Sequence, residues 1–477
     1  MWTGCAGQAK DDPKDADGDG FVLVDDCDDA AAAVNPGAVE VPYDGVDNDC
    51  DGGTPDDDLD ADGFVLDDDC DDEDGAVNPG GTEVDDDGVD NDCDGFVDCD
   101  DGEWVGTVKT DDVPGFCDGF CSRAVREGSL IVEGSALIDL GDLRCVTSVD
   151  YNVVIDSNPE LTTLSGLHGL TSVSGSLDIR GNSALATLAG LDALTSVGRD
   201  LLVADNDVLT TLAGLGAVAS VGTSPDEDGD LGDLYIEDNG ALTTLSGLDH
   251  LTTVGEHVSI SDNPVLTTLS GLAPLTSVGG GLYISSNARL AALSGLEGVT
   301  SVGAYVIVSR NRALTTLSGL DNLQSIGQDL TIDHNDVLTT LSALQNVDSV
   351  MDLTIDDNDA LTTLSGLDGL VSVEEDLTID DNDVLTTLSG LDNLTTAGSL
   401  TLGGYYGYLG GHPIKDGGYL GNVALTDVTA LYGLTRVDEG VVIVNNITLT
   451  DVAAESLVDE IDTVSGTITI FGNDGVY

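Results

Sequence analysis

From Leu161 to Leu402 apolar residues return in one fixed rhythm. In Leu266-Thr-Thr-Leu269-Ser-Gly-Leu272-Ala-Pro-Leu275-Thr-Ser-Val278 a Leu or Val stands at nearly every third position, and Leu282-Tyr-Ile284 then alternates as a short half-buried strand does. The phrase recurs behind anchoring asparagines at Asn158, Asn182, Asn206, Asn239, Asn263, Asn287, Asn311, Asn335, Asn358 and Asn382, spaced by 24 residues except for one gap of 33 and one of 23. A period in this range predicts a solenoid. One coil cannot bury its Leu and Val alone, whereas identical stacked coils share a continuous apolar core. Strand positions Ile131, Ile155, Ile179, Val203, Ile236, Ile260, Ile284, Val308, Ile332, Ile355, Ile379, Leu402, Ile443 and Ile470 predict fourteen rungs, a rod of about 65 Å at roughly 4.8 Å per rung. Each Asn is expected to bond the backbone left unpaired at the bend and to stack on its neighbours. Gly255, Gly279, Gly303 and Gly327, each following a Val or Ile, are expected to supply a permissive turn.

The Leu-Thr-Thr-Leu-Ser-Gly-Leu and Gly-x-Leu-x-Ile-x-x-Asn phrases resemble the receptor L domain of growth-factor receptor ectodomains. The resemblance covers about residues 110–477. It implies a mainly β chain, a right-handed, leucine-rich-repeat-like β-solenoid of about 14 coils that binds another macromolecule and is not an enzyme.

Residues 15–101 follow a different rule, a 43-residue unit written twice. Asp15-Ala-Asp17-Gly-Asp19-Gly20 returns as Asp58-Leu-Asp60-Ala-Asp62-Gly63, and Asp47-Asn-Asp49-Cys50-Asp51-Gly52 as Asp90-Asn-Asp92-Cys93-Asp94-Gly95. Each phrase is the first half of a calcium loop, with ligands at positions 1, 3 and 5 and Gly at 6 for the sharp turn. Position 12 is acidic every time, at Asp26, Asp58, Asp69 and Asp101, so Asp58 closes one loop and opens the next. All-oxygen ligation favours Ca2+, and no His or Met in 2–101 recruits a softer metal. The segment is too poor in apolar residues to offset its ordering entropy by burial. Cations and disulfides must order it, with Cys27–Cys50 and Cys70–Cys93 the economical pairs. The loops are similar to thrombospondin type 3 repeats. Their arrangement resembles the "putative metal-binding motif" of secreted and surface proteins of myxobacteria, a family that implies copper as the alternative metal.

Charge sharpens this picture: 90 acidic against 13 basic residues, net −77, a field that excludes nucleic acid and anionic membrane as partners. Nine cysteines indicate an oxidising compartment. No apolar run approaches the roughly 18 residues of a membrane helix. Thr3-Gly4-Cys5 resembles the end of a lipobox, which makes Cys5 a candidate for lipidation and the only expected link to a membrane. Cys99, Cys117, Cys121 and Cys145 are expected to tie a cap over the first coil by disulfides, with Cys117-x-x-x-Cys121 as half a zinc site the alternative.

Two insertions break the period. One carries Asp226, Asp228 and Asp230, a stray cation loop or a plain acidic one. The other carries Tyr405, Tyr406, Tyr408 and Tyr419, an amphipathic contact loop for a ligand. Asp451 to Ile461 has helical spacing. The five histidines share no neighbourhood in the repeat, no catalytic signature occurs, and no coil has a unique cluster outside the two insertions. The chain therefore reads as 1–14 linker and possible anchor region, 15–101 metal-binding repeats, 102–150 cap and first coil, and 151–477 solenoid. The expected function is a cell-surface or secreted calcium-binding protein whose solenoid binds a protein or glycan, with a structural envelope element, a copper protein or a polysaccharide-active enzyme as alternatives.

Overall fold

The computed structural model describes residues 15–474 except 23–24, 40, 42–44, 51–59, 61, 65–68, 72, 82–88, 92, 94–99, 118–119, 226–228, 230 and 405–420, and only the backbone of 100–102, 120 and 121. The chain forms two compact units, Met1–Gly102 with Gly119–Cys121, and Glu103–Asp118 with Ser122–Tyr477.

The second unit is a mainly β solenoid of about fourteen turns. Each coil contributes a two-residue strand such as Ser277–Val278 and, after a tight turn, a four-residue strand such as Leu282–Ser285. The described neighbouring strands pair in parallel, Leu282 opposite Val306 and Ile284 opposite Val308, with the register shifting between Arg123 and Ala124 where Phe120–Arg126 meets Val146–Val149. Alternation puts Leu282 and Ile284 inside, while the Leu266, Leu269, Leu272 and Leu275 column fills the remaining walls of the coil, all fully buried. In Ser372–Asp380 the two strands of one coil merge into a single run, with a register shift between Val373 and Asp376 against the next coil.

The asparagines form the predicted ladder. Asn287 is fully buried; its Nδ2 donates to Ile260 O at 2.8 Å and Ser285 O at 3.0 Å, and its Oδ1 accepts from the Asn263 amide at 3.3 Å. The same pattern runs from Asn158 through Asn422 and Asn446 to Asn473. It saturates the donors and acceptors that a corner between coils leaves inside the core. The residue before each ladder Asn is left-handed, including Asp262, Ser286, Arg310 and His334; a corner this sharp requires positive φ, and the buried amide network holds non-Gly residues there.

Three expectations need correction. Val108–Lys109 pairs in parallel with Leu130–Glu133 and forms a rung before the first one predicted, too short to show alternation. Ile131 pairs with Val154, so Val132, opposite Ile155, takes the core position. Gly279 and its equivalents do not serve through a permissive φ: a Cβ at Gly279 would overlap the carbonyl of Gly255 one coil below, and one at Gly303 that of Gly279. Close stacking of backbone is the requirement. Asp451–Glu460 is helical as expected, capped by Thr450, whose Oγ1 accepts from the Ala453 amide at 3.1 Å.

Candidate metal centres

The described residues between 15 and 93 form turns and bends, and the two copies share equivalent contacts. The Asn35 amide donates to Asn48 O at 2.8 Å and the Asn78 amide to Asn91 O at 3.0 Å. Disulfides close Cys27–Cys50 and Cys70–Cys93, and Val34 and Val77 are the small buried apolar anchors.

In the first copy Asp15, Asp17 and Asp19 each bring a carboxylate oxygen within 4.8 Å of the others; in the second Asp60, Asp62 and Asp69 do the same. Local chemistry enforces this convergence. Gly20 and Gly63, at the sixth position, have φ of 105° and 101°, a turn that a side chain would strain. The amides of Gly18 and Gly20 donate to the two oxygens of Asp15 at 2.6 and 3.1 Å, and the Phe21 amide donates to Asp19 Oδ1 at 2.8 Å. The Phe64 amide repeats the last bond with Asp62 Oδ1 at 2.9 Å.

In Asp17, Asp19, Asp26 and Asp69 a turn occupies Oδ1, which accepts from the amides of Asp19, Phe21, Asp28 and Asp71 respectively. Asp17 Oδ2, Asp19 Oδ2 and Asp26 Oδ2 are shielded from solvent and accept no hydrogen bond, and Asp69 Oδ2 repeats this in the second copy. Asp26 and Asp69, the twelfth-position residues, are only 6% and 7% exposed. Burial raises the Asp17 carboxyl above the ordinary carboxylate range, and the charges of Asp19, Asp26 and Asp15 push the same way against an opposing backbone hydrogen bond. Shielded anionic oxygens without donors are costly, and a cation among them removes that cost. The donor set fits a hard divalent ion.

For the second and fourth loops Asp47, Asp49 and Asp90 are described; Asp51, Asp58, Asp92, Asp94 and the side chain of Asp101 lie outside the described residues. Among the described residues these loops form no group of three. Cys5, Cys99, the Cys121 side chain, Asp226, Asp228, Asp230, Tyr405, Tyr406, Tyr408 and Tyr419 also lie outside the described residues. Cys117 is bonded to Cys145, both buried, so its sulfur is not available as half of a zinc site. Beside it Arg123 packs its guanidinium over Phe116 and Trp104, 4.6 and 5.4 Å from the ring centres, and donates to Phe116 O at 2.7 Å.

The solenoid also holds a cluster that the sequence reading missed. Asp333, Asp356 and Asp380 stand in register on successive coils. His334 lies between Asp333 Oδ2, at 2.8 Å, and Asp357 Oδ2, at 3.2 Å. Burial, then the charge of Asp380, pushes Asp356 up to about 7 against the pull of His334; burial pushes Asp380 up to about 6. The hydrogen bond to Asp333 is the main cause that raises His334. The histidines are therefore not all isolated, and this stretch differs from its neighbours. Aligned Asp-His, Asp-Asp and Asp-Asp pairs before Asn335, Asn358 and Asn382 were the available signal.

Fold and sites together define a parallel β-solenoid protein with two N-terminal copies of a metal-binding motif. The family described as "Putative metal-binding motif" matches residues 26–56 and 69–99. No curated protein matches the chain. A solved TLR13–ssRNA13 complex is 13% identical over 74% of this chain and 71% of its own, with a TM-score of 0.20.

Proposed function

We propose that this chain is a calcium-binding scaffold of the bacterial cell surface or secreted space, without enzymatic activity, whose solenoid engages a protein or glycan. Ca2+ is held in each copy by the first-loop carboxylates Asp15, Asp17, Asp19 and Asp26, and by Asp60, Asp62 and Asp69. The observation that carries this reading is the solvent-shielded, donor-free oxygens of Asp17, Asp19 and Asp26. Bound cations order a segment that has almost no apolar core, so metal binding and folding of this unit are one equilibrium. The net charge of −77 favours basic or cation-bridged partners. The matched family is one that implies copper, but Cys27, Cys50, Cys70 and Cys93 are spent in disulfides, and the carboxylates gathered in the two first loops are hard oxygen donors.

Calorimetric titration of the full chain with Ca2+, then with Cu2+, tests this. Saturable Ca2+ binding that Asp17→Asn and Asp26→Asn weaken at least tenfold is expected. Copper binding tighter than calcium at neutral pH, or no response to either substitution, overturns it.

A further inference from the structure

The same repeats hold a second set of donors. Asp26 Oδ, Cys27 Sγ and Cys50 Sγ lie within 4.8 Å of one another, and so do Asp69 Oδ, Cys70 Sγ and Cys93 Sγ. In the second copy Cys93 Sγ sits 4.0 Å from Asp69 Oδ1. The carboxylate that closes each calcium loop is thus the sequence neighbour of a disulfide sulfur. Accessibility separates these disulfides from Cys117–Cys145: Cys27 and Cys70 are exposed, whereas Cys117 and Cys145 are 1% and 0% exposed. Exposed disulfides are the ones that exchange readily with an attacking thiolate. Asp26 and Asp69 are more than nine-tenths buried, each with one oxygen that has no hydrogen-bond donor.

We infer that each repeat contains a redox-gated soft-metal site, Asp26–Cys27–Cys50 and Asp69–Cys70–Cys93, closed while the disulfide stands and open to a d10 cation such as Zn2+ or Cd2+ once a dithiol has reduced it. The inference rests on the proposed cation-binding role of these loops, because Asp26 and Asp69 serve as ligands in both states. In the reducing step the Sγ–Sγ bond breaks and takes up two electrons and two protons, giving two thiols, while the dithiol loses the same and closes its own disulfide. The metal then displaces the two thiol protons and binds two thiolates and one carboxylate, three donors of a tetrahedral set. Reduction also frees Asp26 from the constraint at Cys27, so the hard site weakens as the soft one appears. The repeats therefore exchange calcium for a soft metal as the surroundings become reducing.

The test uses the full chain, oxidised or treated with a dithiol that is then removed by anaerobic gel filtration. Thiol titration counts the opened cysteines, Cd2+ is added while the thiolate-to-metal absorption is followed, and Ca2+ affinity is measured on both forms. Expected are Cd2+ binding at least a hundredfold tighter after reduction, the absorption falling by one metal equivalent in C27S/C50S and by another in C70S/C93S, and Ca2+ affinity at least tenfold weaker in the reduced form. Absorption unchanged in both serine pairs overturns the inference, as does resistance of Cys27 and Cys70 to the dithiol while the solenoid stays folded. Absence of Ca2+ binding by the oxidised chain, with the Cd2+ result intact, instead overturns the calcium reading and leaves the thiolate sites standing.

Discussion

His334 Nε2 faces Asp357 Oδ2 at 3.2 Å across the gap between two solenoid coils. Around this pair, Asp356 and Asp380 hold their protons far more tightly than free carboxyls, up to about 7 and about 6 from 3.8. The folded chain thus binds more protons than the unfolded one between pH about 4 and 7, and stability falls as pH rises through that window. His334, raised from 6.5, acts in the same direction: its contribution is complete below 6.5 and lost as pH passes its folded value. Asp356→Asn is expected to flatten this dependence and to stabilise the solenoid at pH 8 by on the order of 2 kcal/mol. Urea midpoints at pH 5 and pH 8 measure it; an identical pH slope in both proteins defeats the explanation.

The asparagine ladder makes a second prediction. Asn287→Ala leaves the carbonyls of Ile260 and Ser285 and the amide of Asn263 without their side-chain partner inside the core. The Ser285 carbonyl keeps the Asp262 amide at 3.1 Å; with the other two groups costing about 1–3 kcal/mol each when left unpaired, a loss of at least about 2 kcal/mol in chemical denaturation is expected. A loss below about 1 kcal/mol shows that water replaces the amide and the ladder is not a source of stability.

At Gly279, substitution to Ala tests close stacking. The added methyl must displace the Gly255 carbonyl, and separation of adjacent coils should cost about 1–3 kcal/mol, as overpacking does. The comparison is Gly216→Ala, where nothing lies within 4 Å of the new carbon. Equal melting temperatures for the two variants contradict the packing account.

Gly20→Ala asks whether loop geometry governs metal affinity. The new Cβ meets no atom within 4 Å, yet φ is 105°, so the cost is conformational, roughly 1–2 kcal/mol. If the bound loop needs this turn, Ca2+ affinity falls about tenfold while solenoid melting is unchanged. Unaltered affinity places the cation elsewhere.

What the sequence determined by itself is whatever depends on one coil or one loop. The 24-residue rhythm around Leu266 and Ile284, the asparagine corners, the Asp15–Asp26 loop and the equal spacing of Cys27–Cys50 and Cys70–Cys93 are local patterns, and local chemistry carries them into the fold. The tertiary structure decided what arises between coils. It placed Val132 rather than Ile131 in the core, because register against Ile155 sets which side chain points inward. It showed that Gly279 is demanded by the Gly255 carbonyl of the coil below and not by its own φ. It joined Asp333, His334, Asp356, Asp357 and Asp380, spread over three successive coils, into one cluster, and it shielded Asp26 Oδ2 from solvent without a donor. Such relations depend on contacts made across stacked turns, where a shift of one residue reverses inside and outside, and no single repeat encodes them.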